Sequence, residues 1–438
     1  MRRRISRLLL LLALPGCALY SDVSITPLFL TPKNIHRPVS LGEMVEIGDY
    51  ARAAAQASVV ESKQRPSFRE LAAVGRAELA SSRLASARRH LRRAIDLNPP
   101  FLEEGQIAWD LSQTEYLANN YAASLDWANH ASRNGMRIIE WHLEYLKALS
   151  EVAVYGMPDR APARVPMTFG DPEIPRIELV ANGTEATAVI DSGAVVSIVS
   201  ETLAQRAAIR RLGTFIGTFY GLLGEPIPVT FGIIEEIRIG ALLVRNVPVA
   251  IMPDRQLDFL IVNKQTFKMD LLLGANLLKE FRLELSFQDS SMTFTPLSEA
   301  DRQPAADQNL FFMGFRPVVQ TTINRRGWYL FLLDTGSEVT FLNDALLSST
   351  NVRNAPRFHG ALLQGLGGSQ KRGAKIENVE IGVDHWAGRF RDLPLYGSER
   401  TETYGILGQN FLRNFRVILD FGAMRLDLRR DQGPFGNL

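Results

Sequence analysis

Two segments of this 438-residue chain repeat the same pair of motifs in the same order. The first motif is an aspartate in a glycine turn after an apolar run: residues 191–193 read Asp-Ser-Gly and residues 334–336 read Asp-Thr-Gly. The second is an apolar block, Leu-Gly-Ala-Asn-Leu-Leu at 273–278 and Leu-Gly-Gln-Asn-Phe-Leu at 407–412. A matched repeat predicts two similar folding units, each presenting one aspartate in the same local frame.

Composition restricts the class of protein. With 46% hydrophobic residues, the chain is long and apolar enough for two or three domains with packed cores. Its 49 Lys plus Arg nearly balance its 47 Asp plus Glu, so no net field gathers polyanions and we expect no nucleic-acid partner. The six histidines form no closely spaced ligand motif, and we expect neither a metal nor another cofactor.

The N-terminus has the features of an export signal. A basic head is followed by an apolar run at residues 8–14, which is too short to span a bilayer, and then by the single cysteine, Cys17. This pattern resembles a bacterial lipobox, in which residues 1–16 are removed and Cys17 is acylated. A plain signal peptide with an incidental cysteine is the alternative. We expect a periplasm-facing protein of the bacterial envelope, attached to the membrane only by this lipid, with the outer membrane favoured.

The next two segments differ in composition. Residues 17–66 are predicted to form a tether, because residues 21–40 are rich in Pro, Ser and Thr. Residues 67–150 contain few Gly or Pro and show apolar residues at helical spacing. Positions such as Gly75 and Leu91 fit tetratricopeptide-like helical hairpins, whose small residues allow close packing. This module either binds a protein partner or serves as a spacer and packing partner.

Beyond about residue 166 the sequence changes to short β-branched runs broken by Gly, Asn and Pro. We predict two mainly β units, at residues 166–298 and 308–430, separated by a linker rich in Pro, Asp and Gln. In each unit a hairpin precedes the aspartate; the first is expected to turn at Asn182 and Gly183. The predicted fold class is therefore multidomain α+β, with N-terminal helical hairpins before two β lobes.

The β units resemble the retropepsin-like and pepsin-like aspartic proteases. Three features of that family occur in order in each half: the Asp-Ser/Thr-Gly turn, a glycine-rich hairpin at the position of the flap, and the apolar-Gly-x-Asn block. The resemblance covers about residues 170 to 430. It implies two acid-protease barrel lobes in one chain, with Asp191 and Asp334 as a catalytic pair at their junction.

The resemblance also implies roles for the neighbours of the two aspartates. They are, in the active-site turns, Ser192, Gly193, Ala194, Thr335, Gly336 and Ser337; in the substrate-covering flaps, Gly221, Leu222, Leu223, Gly224, Gly365, Leu366, Gly367 and Gly368; and in structural support beneath the turns, Gly274, Asn276, Gly408 and Asn410. The hydroxyls of Ser192 and Thr335 are expected to form hydrogen bonds across the lobe interface.

Two neighbouring carboxyls that share one proton can hydrolyse a peptide bond through a water molecule. The sequence thus favours an aspartic endopeptidase that acts on peptides or proteins, as a monomer with the two lobes paired within one chain. Pairing of lobes between molecules is the alternative assembly. A non-enzymatic scaffold, which binds peptides and recruits partners through the helices, is the alternative function.

The two turns differ at one position that bears on protonation. Ala194 follows the first glycine, whereas Ser337 follows the second. A hydroxyl that donates to a carboxylate lowers its pKa. We therefore predict that Ser337 bonds to Asp334, so that Asp334 carries the charge and Asp191 the proton.

Overall fold

The computed structural model describes residues 13–14, 23–28, 40–170, 172–220, 225–260, 266–350, 352, 357–365, 370–396 and 403–430. The α-helices are α1 (Leu41–Glu46), α2 (Tyr50–Ala55), α3 (Ala57–Glu61), α4 (Phe68–Ala80), α5 (Leu84–Asp96), α6 (Phe101–Leu117), α7 (Tyr121–Arg133), α8 (Glu140–Ser150), α9 (Glu201–Arg206), α10 (Ala275–Leu278) and α11 (Gln409–Leu412). Short 3₁₀ helices are Asp254–Gln256, Glu299–Asp301 and Asp344–Ser349. Within these ranges, every helix is too short or too polar to cross a membrane.

The strands before the second lobe are β1 (Ala13–Leu14), β2 (Val23–Pro27), β3 (Ala163–Pro166), β4 (Thr168–Gly170), β5 (Ile174–Ala181), β6 (Thr184–Ile190), β7 (Ser197–Ser200), β8 (Arg210–Arg211), β9 (Gly217–Tyr220), β10 (Pro226–Ile239), β11 (Leu242–Met252), β12 (Asp258–Leu260), β13 (Thr266–Lys268), β14 (Leu271–Leu273), β15 (Phe281–Ser286) and β16 (Ser291–Pro296). Those that follow are β17 (Leu310–Met313), β18 (Arg316–Ile323), β19 (Arg326–Leu333), β20 (Phe341–Asn343), β21 (Arg357–Gly365), β22 (Gln370–Val383), β23 (Trp386–Tyr396), β24 (Gly405–Leu407), β25 (Arg416–Asp420) and β26 (Arg425–Arg429).

Helices α4 to α8 form the helical module. A capping box starts α4: the Ser67 hydroxyl accepts from the Glu70 amide at 3.3 Å, and the Glu70 carboxylate accepts from the Ser67 amide at 2.9 Å. Helices α4 and α5 pack so closely that a Cβ added at Gly75 would lie 2.6 Å from Cγ of Leu91. The helices of this region are therefore observed, while their relation to tetratricopeptide repeats stays a prediction.

The segment predicted as a tether contains ordered structure in both halves: β2 pairs antiparallel with β23 of the second lobe, and three helices follow. Residues 41–61 form α1, α2 and α3, and the apolar residues Met44, Ala53 and Ala54 pack with Ala77 of α4. The Pro, Ser and Thr of residues 21–40 predicted a tether, whereas a capping box starts α1, where Ser40 and Glu43 bond reciprocally. Such helices are too short to form alone and are stabilised by packing on the module.

Each β unit closes into a six-stranded barrel. In the first lobe the ring runs β5–β6–β14–β7–β11–β10 and back to β5. In the second lobe it runs β18–β19–β24–β20–β23–β22 and back to β18. The predicted first hairpin is confirmed, because Asn182 and Gly183 both have positive φ, at 46° and 80°, as a tight hairpin turn requires. The helices and barrel-like lobes confirm the coarse fold class.

The lobes are joined by a shared sheet. Its order is β26–β25–β15–β16–β3, and β15 of the first lobe pairs antiparallel with β25 of the second, with Leu283 opposite Leu419. Both of these leucines are buried, so apolar side chains of the sheet pack at the base of the lobe junction and exclude water there. The registration of one lobe against the other is thus fixed by backbone hydrogen bonds as well as by packing.

The helical module packs on both lobes through aromatic side chains. Trp141 and Tyr145 of α8 lie 5.7 and 4.6 Å, centroid to centroid, from Phe231 in β10 of the first lobe. Phe315, in the β17–β18 turn of the second lobe, lies 4.4 Å from Tyr116 of α6. Burial of large aromatic rings is strongly stabilising, so the module holds the two lobes together from outside.

His142 lies at the centre of this aromatic contact. Its ring is 5.7 Å from Trp109, 6.0 Å from Trp141 and 6.3 Å from Phe315, and its Nε2 accepts no hydrogen bond from the described residues. Burial lowers the pKa of His142 to about 4. The neutral imidazole is therefore the form compatible with the folded interface.

We expect acid to destabilise the protein through His142. In the unfolded chain its pKa is near 6.5, so protons bind the unfolded form better and the free energy of unfolding falls between about pH 6.5 and 4, by about 3 kcal/mol. His142→Leu should remove that part of the pH dependence, as measured by urea unfolding at pH 7.5 and 4. The exposed His385, replaced by Gln, is the matched control. An unchanged pH dependence in His142→Leu would contradict this assignment.

Candidate active site

The first aspartate is held by its own turn. Strand β6 ends one residue before Asp191, whose amide donates to the carbonyl of Leu273 in β14 at 3.0 Å. Its carboxylate oxygen Oδ1 accepts from the amides of Gly193 at 2.8 Å and Ala194 at 3.0 Å. The turn thus fixes the side chain through backbone groups that lie two and three residues away along the chain.

The second aspartate repeats this arrangement. The amide of Asp334 donates to the carbonyl of Leu407 in β24 at 3.1 Å. The Oδ1 atom of Asp334 accepts from the amide of Gly336 at 3.0 Å. The sequence repeat is therefore also a structural repeat at the level of single hydrogen bonds.

The glycines of the second motif lie directly beneath the turns. A Cβ added at Gly274 would lie 2.7 Å from the carbonyl carbon of Val196, and one added at Gly408 would lie 2.5 Å from the carbonyl oxygen of Val339. Both contacts are to backbone atoms, which cannot rotate away. Glycine is therefore needed at these positions because of the close approach to the turn.

The asparagines of the same motif bond to a hydroxyl residue six positions after each aspartate. Oδ1 of Asn276 accepts from the Ser197 amide at 2.7 Å, and Oδ1 of Asn410 accepts from the Thr340 amide at 2.9 Å. The hydroxyls of Ser197 and Thr340 in turn accept from the amides of Gly274 and Gly408, both at 3.0 Å. All four predicted support residues thus lie under the turns. Ser197 and Thr340 were not predicted, although their matched spacing in the two halves was a visible signal.

Ser192 and Thr335 exchange hydrogen bonds across the lobe junction. The Ser192 amide donates to the Thr335 hydroxyl at 3.0 Å, and the Thr335 amide donates to the Ser192 hydroxyl at 3.1 Å. Each hydroxyl then donates across to the residue before the opposite aspartate, Ser192 to the carbonyl of Leu333 at 2.6 Å and Thr335 to that of Ile190 at 2.7 Å. These are the cross-lobe hydrogen bonds that the family resemblance implied.

The exchange brings the two carboxyl groups together. A Cβ added at Gly193 would lie 2.5 Å from Cγ of Asp334, and one added at Gly336 would lie 2.6 Å from Cγ of Asp191. Both aspartates are completely buried, and Oδ2 of each accepts no hydrogen bond from the described part of the chain. The glycine of each turn therefore makes room for the carboxyl of the other turn.

Burial raises the pKa of Asp191 to about 7, although the Asp334 side chain and the amides of Ala194 and Gly193 oppose the increase. Burial also raises the pKa of Asp334 well above its usual range, and the charge of Asp191 adds to this effect. Two close carboxyls titrate as a unit, since the second charge is repelled by the first. A pair that holds one proton and one charge places an acid and a base side by side.

The predicted bond from Ser337 to Asp334 is not the one that the hydroxyl makes. The hydroxyl of Ser337 donates its proton to the carbonyl of Val339 at 2.9 Å. One hydroxyl has one proton, so this bond removes the reason for assigning the charge to Asp334. Burial raises the pKa of both carboxyls, so the pair holds the shared proton as a unit.

The flap residues lie mostly outside the described residues. These are Gly221, Leu222, Leu223, Gly224, Leu366, Gly367 and Gly368, and the proposed lipid site Cys17 lies outside them as well. Gly365 is the last residue of β21. The strands that lead to both predicted flaps are present, because β9 pairs with β10 and β21 pairs with β22 as antiparallel hairpins.

We expect Thr335→Val to lower the free energy of unfolding by about 3 kcal/mol, because the Ser192 amide and the Ile190 carbonyl lose a partner while buried. Thr335→Ser keeps the hydroxyl and is the matched control, with an expected loss of about 1 kcal/mol for the missing methyl group. Chemical denaturation at pH 6 measures both. Equal losses in the two variants would show that the cross-lobe bonds do not stabilise the junction.

Neutralising one buried carboxyl should stabilise the protein at high pH. Because the folded pKa of Asp191 is raised, its contribution to stability is full below about pH 4 and is lost as the pH rises through 7. Relative to wild type, Asp191→Asn should therefore gain up to about 4 kcal/mol in free energy of unfolding between pH 4 and 8. Asp126→Asn, at an exposed site on α7, is the control. A difference that does not vary with pH would contradict the raised pKa.

Comparison with known proteins gives a family match within the first lobe. Residues 177–280 match the family model described as gag-polyprotein putative aspartyl protease. Similar solved structures include a retropepsin-like aspartic protease from Rickettsia conorii (11% identity, 33% of this chain and 97% of that chain, TM-score 0.21) and an aspartic proteinase from Irpex lacteus (9% identity, 63% and 99%, TM-score 0.36). No curated protein gave a significant match. The similarity to this aspartyl protease family thus lies within the first lobe and includes the Asp191 turn and the Gly274–Asn276 motif.

Proposed function

We propose that this protein is an aspartic endopeptidase in which Asp191 and Asp334 activate one water molecule for attack on a peptide bond. The observation that carries the proposal is the reciprocal frame around the pair: each turn is bonded to the other, and each carboxyl fills the space that the opposite glycine leaves. A surface turn would need neither feature. The aspartyl protease match over residues 177–280 supports peptidase chemistry in general.

In the proposed reaction the pair begins with one proton. The charged carboxyl takes a proton from the water, whose oxygen forms a bond to the carbonyl carbon of the substrate, while the other carboxyl donates its proton to the carbonyl oxygen. The carboxyl that took the proton from water then gives it to the amide nitrogen, while the other carboxyl takes a proton from a hydroxyl of the tetrahedral intermediate. The C–N bond breaks, a carboxyl and an amine product form, and the pair again holds one proton. The protein positions both groups before the reaction, because the turn amides hold Oδ1 of each.

We propose that the two hairpins β9–β10 and β21–β22 cover an extended peptide. They occupy matching positions in the two lobes, because β10 pairs with β5 and β11 as β22 pairs with β18 and β23. A hairpin can add backbone hydrogen bonds to an extended segment and exclude water from the site. The substrate class is therefore peptides or unfolded regions of proteins rather than small molecules.

We propose that one chain supplies the complete site and that the protein is anchored in the bacterial envelope through Cys17. The cross-lobe hydrogen bonds and the shared five-stranded sheet favour pairing within a chain over pairing between chains. The anchor rests on the sequence of residues 1–17 alone. The alternative function, a peptide-binding scaffold, would use the helical module. It does not explain why two carboxyls are buried in contact with each other.

The test is cleavage of a peptide library by the full-length chain in detergent, from pH 4 to 9. We expect cleavage that Asp191→Asn or Asp334→Asn reduces at least about 100-fold, while Asp126→Asn leaves it unchanged. Because the pKa of Asp191 is about 7, the acidic limb of kcat/KM should lie near neutral pH and not near pH 4. Cleavage that persists in both single variants would overturn the paired-aspartate proposal.

Mixing the two single variants distinguishes the assemblies. If lobes pair only within a chain, an equimolar mixture of Asp191→Asn and Asp334→Asn stays inactive, because every chain lacks one carboxyl. Recovery of about a quarter or more of wild-type activity would show that lobes pair between molecules.

A further inference from the structure

The helical module is bonded to the residues directly after α10. The side chain of Asn119, in the α6–α7 turn of the module, accepts from Nζ of Lys279 at 2.7 Å and donates to the Glu280 carboxylate at 2.9 Å. Lys279 and Glu280 also form an ion pair with each other, and Arg302 donates to the second oxygen of Glu280 at 2.5 Å. Lys279 and Glu280 are both buried. Buried charges need such complete pairing, so this contact has a fixed geometry.

A second contact reaches α10 from the segment between the module and the first lobe. Tyr155 has a φ of 53°, a conformation that costs energy in a residue with a large side chain. In this conformation its hydroxyl accepts from the side-chain nitrogen of Asn276 at 3.1 Å, and its ring lies 5.3 Å from Nζ of Lys279. The positive φ of Tyr155 thus places its hydroxyl against Asn276, which supports the first turn.

Asn276 connects these contacts to the first turn. Its side-chain oxygen Oδ1 accepts from the amide and the hydroxyl of Ser197, at 2.7 and 2.9 Å, and its side-chain nitrogen also donates to the carbonyl of Pro248 at 2.9 Å. The backbone amide of Asn276 donates to the carbonyl of Val195 at 3.1 Å. Ser197 and Val195 lie six and four residues after Asp191. A rotation of the Asn276 side chain would therefore act directly on Ser197, through both hydrogen bonds to Oδ1.

The equivalent position in the second lobe is held differently. Arg413 occupies the place of Lys279, five residues after the motif glycine, and forms an ion pair with Glu173 of the first lobe. The amide of Glu173 donates to the carboxylate of Glu338, four residues after Asp334, at 2.5 Å. The second turn is thus supported by the β lobes themselves, whereas the first turn takes this support from the helical module.

We propose that the helical module positions the Asp191 turn, with Tyr155 and Asn119 as positioning residues for the reaction proposed above. The module is then part of the catalytic unit and not a spacer. Loss of either contact should lower kcat, because the Asp191 carboxyl loses its alignment with Asp334. KM should change little, because neither residue belongs to the flap strands β9, β10, β21 and β22. The expected change in kcat rests on the proposed peptidase function. The expected change in the mobility of the Asp191 turn rests on the geometry alone.

The first variant is Tyr155→Phe, which removes one hydroxyl and keeps the ring. Its matched control is Tyr145→Phe, since Tyr145 is also a buried tyrosine where the helical module packs on the first lobe. We expect Tyr155→Phe to lower kcat roughly tenfold with KM within about twofold, and Tyr145→Phe to leave both nearly unchanged. Thermal unfolding of both variants checks that they are folded to a similar extent.

The second variant tests the contact from the other side. Asn119→Gly removes the side chain that holds Lys279 and Glu280 while suiting the positive φ of 59° at this position. Asn98→Gly is its control, because Asn98 also has a positive φ and lies at an exposed turn of the module. We expect a reduction of kcat in Asn119→Gly only, of the same order as in Tyr155→Phe.

Hydrogen–deuterium exchange of the full-length chain provides a readout that needs no activity. Amides within residues 191–197 should exchange at least about fivefold faster in Tyr155→Phe and Asn119→Gly than in wild type or the two controls. If wild type cleaves nothing but this pattern appears, the peptidase proposal fails and the positioning contact stands. If exchange and kcat in the test variants equal those of the controls, the positioning role is overturned.

Discussion

The exchange of hydrogen bonds between Ser192 and Thr335 is the interaction on which the rest of the structure depends. Each hydroxyl bridges the amide and a carbonyl of the opposite lobe, so neither turn has its observed position without the other. Complete burial of two carboxyls in contact costs free energy. The rigid structure around the pair keeps the two groups together and excludes bulk water. The raised pKa of each carboxyl is a direct consequence of this enclosure.

The remaining architecture supports that junction from three sides. The five-stranded sheet joins the lobes at one end, the two Gly-x-Asn motifs lie beneath the turns, and the helical module packs against both lobes. These supports are nearly symmetric except for the last. The module contacts the residues directly after α10 through Asn119, and Tyr155 of the following segment contacts Asn276. At the equivalent place after α11, Arg413 pairs with Glu173 of the first lobe. A symmetric pair of turns is therefore held in an asymmetric protein.

Much of the site was predictable because its hydrogen bonds are local in sequence. The amide of Gly193 donates to Asp191, two residues earlier, and the Asn182–Gly183 turn joins Ala181 to Thr184, three residues later. Short-range sequence patterns indicate such contacts well. Gly75 was also identified correctly as a close-packing position in the helical module. Predictions failed where a side chain had a choice of partners: Ser337 bonds to Val339 rather than to Asp334. They also failed where composition hid short helices, as at residues 41–61, which are stabilised by the tertiary contact of Met44 and Ala77.

The sequence by itself determined that there are two equivalent turns, that each carries one carboxyl, and that each needs glycine and a hydroxyl. It could do so because the motif residues make most of their contacts within their own turn or with the matched motif of their own lobe. Only the tertiary structure decided that the two carboxyls face each other, that both are fully buried, and that Tyr155 contacts Asn276. Those contacts join residues more than 100 positions apart. The packing of whole helices and strands sets the geometry of these contacts, and a local sequence pattern does not predict that packing.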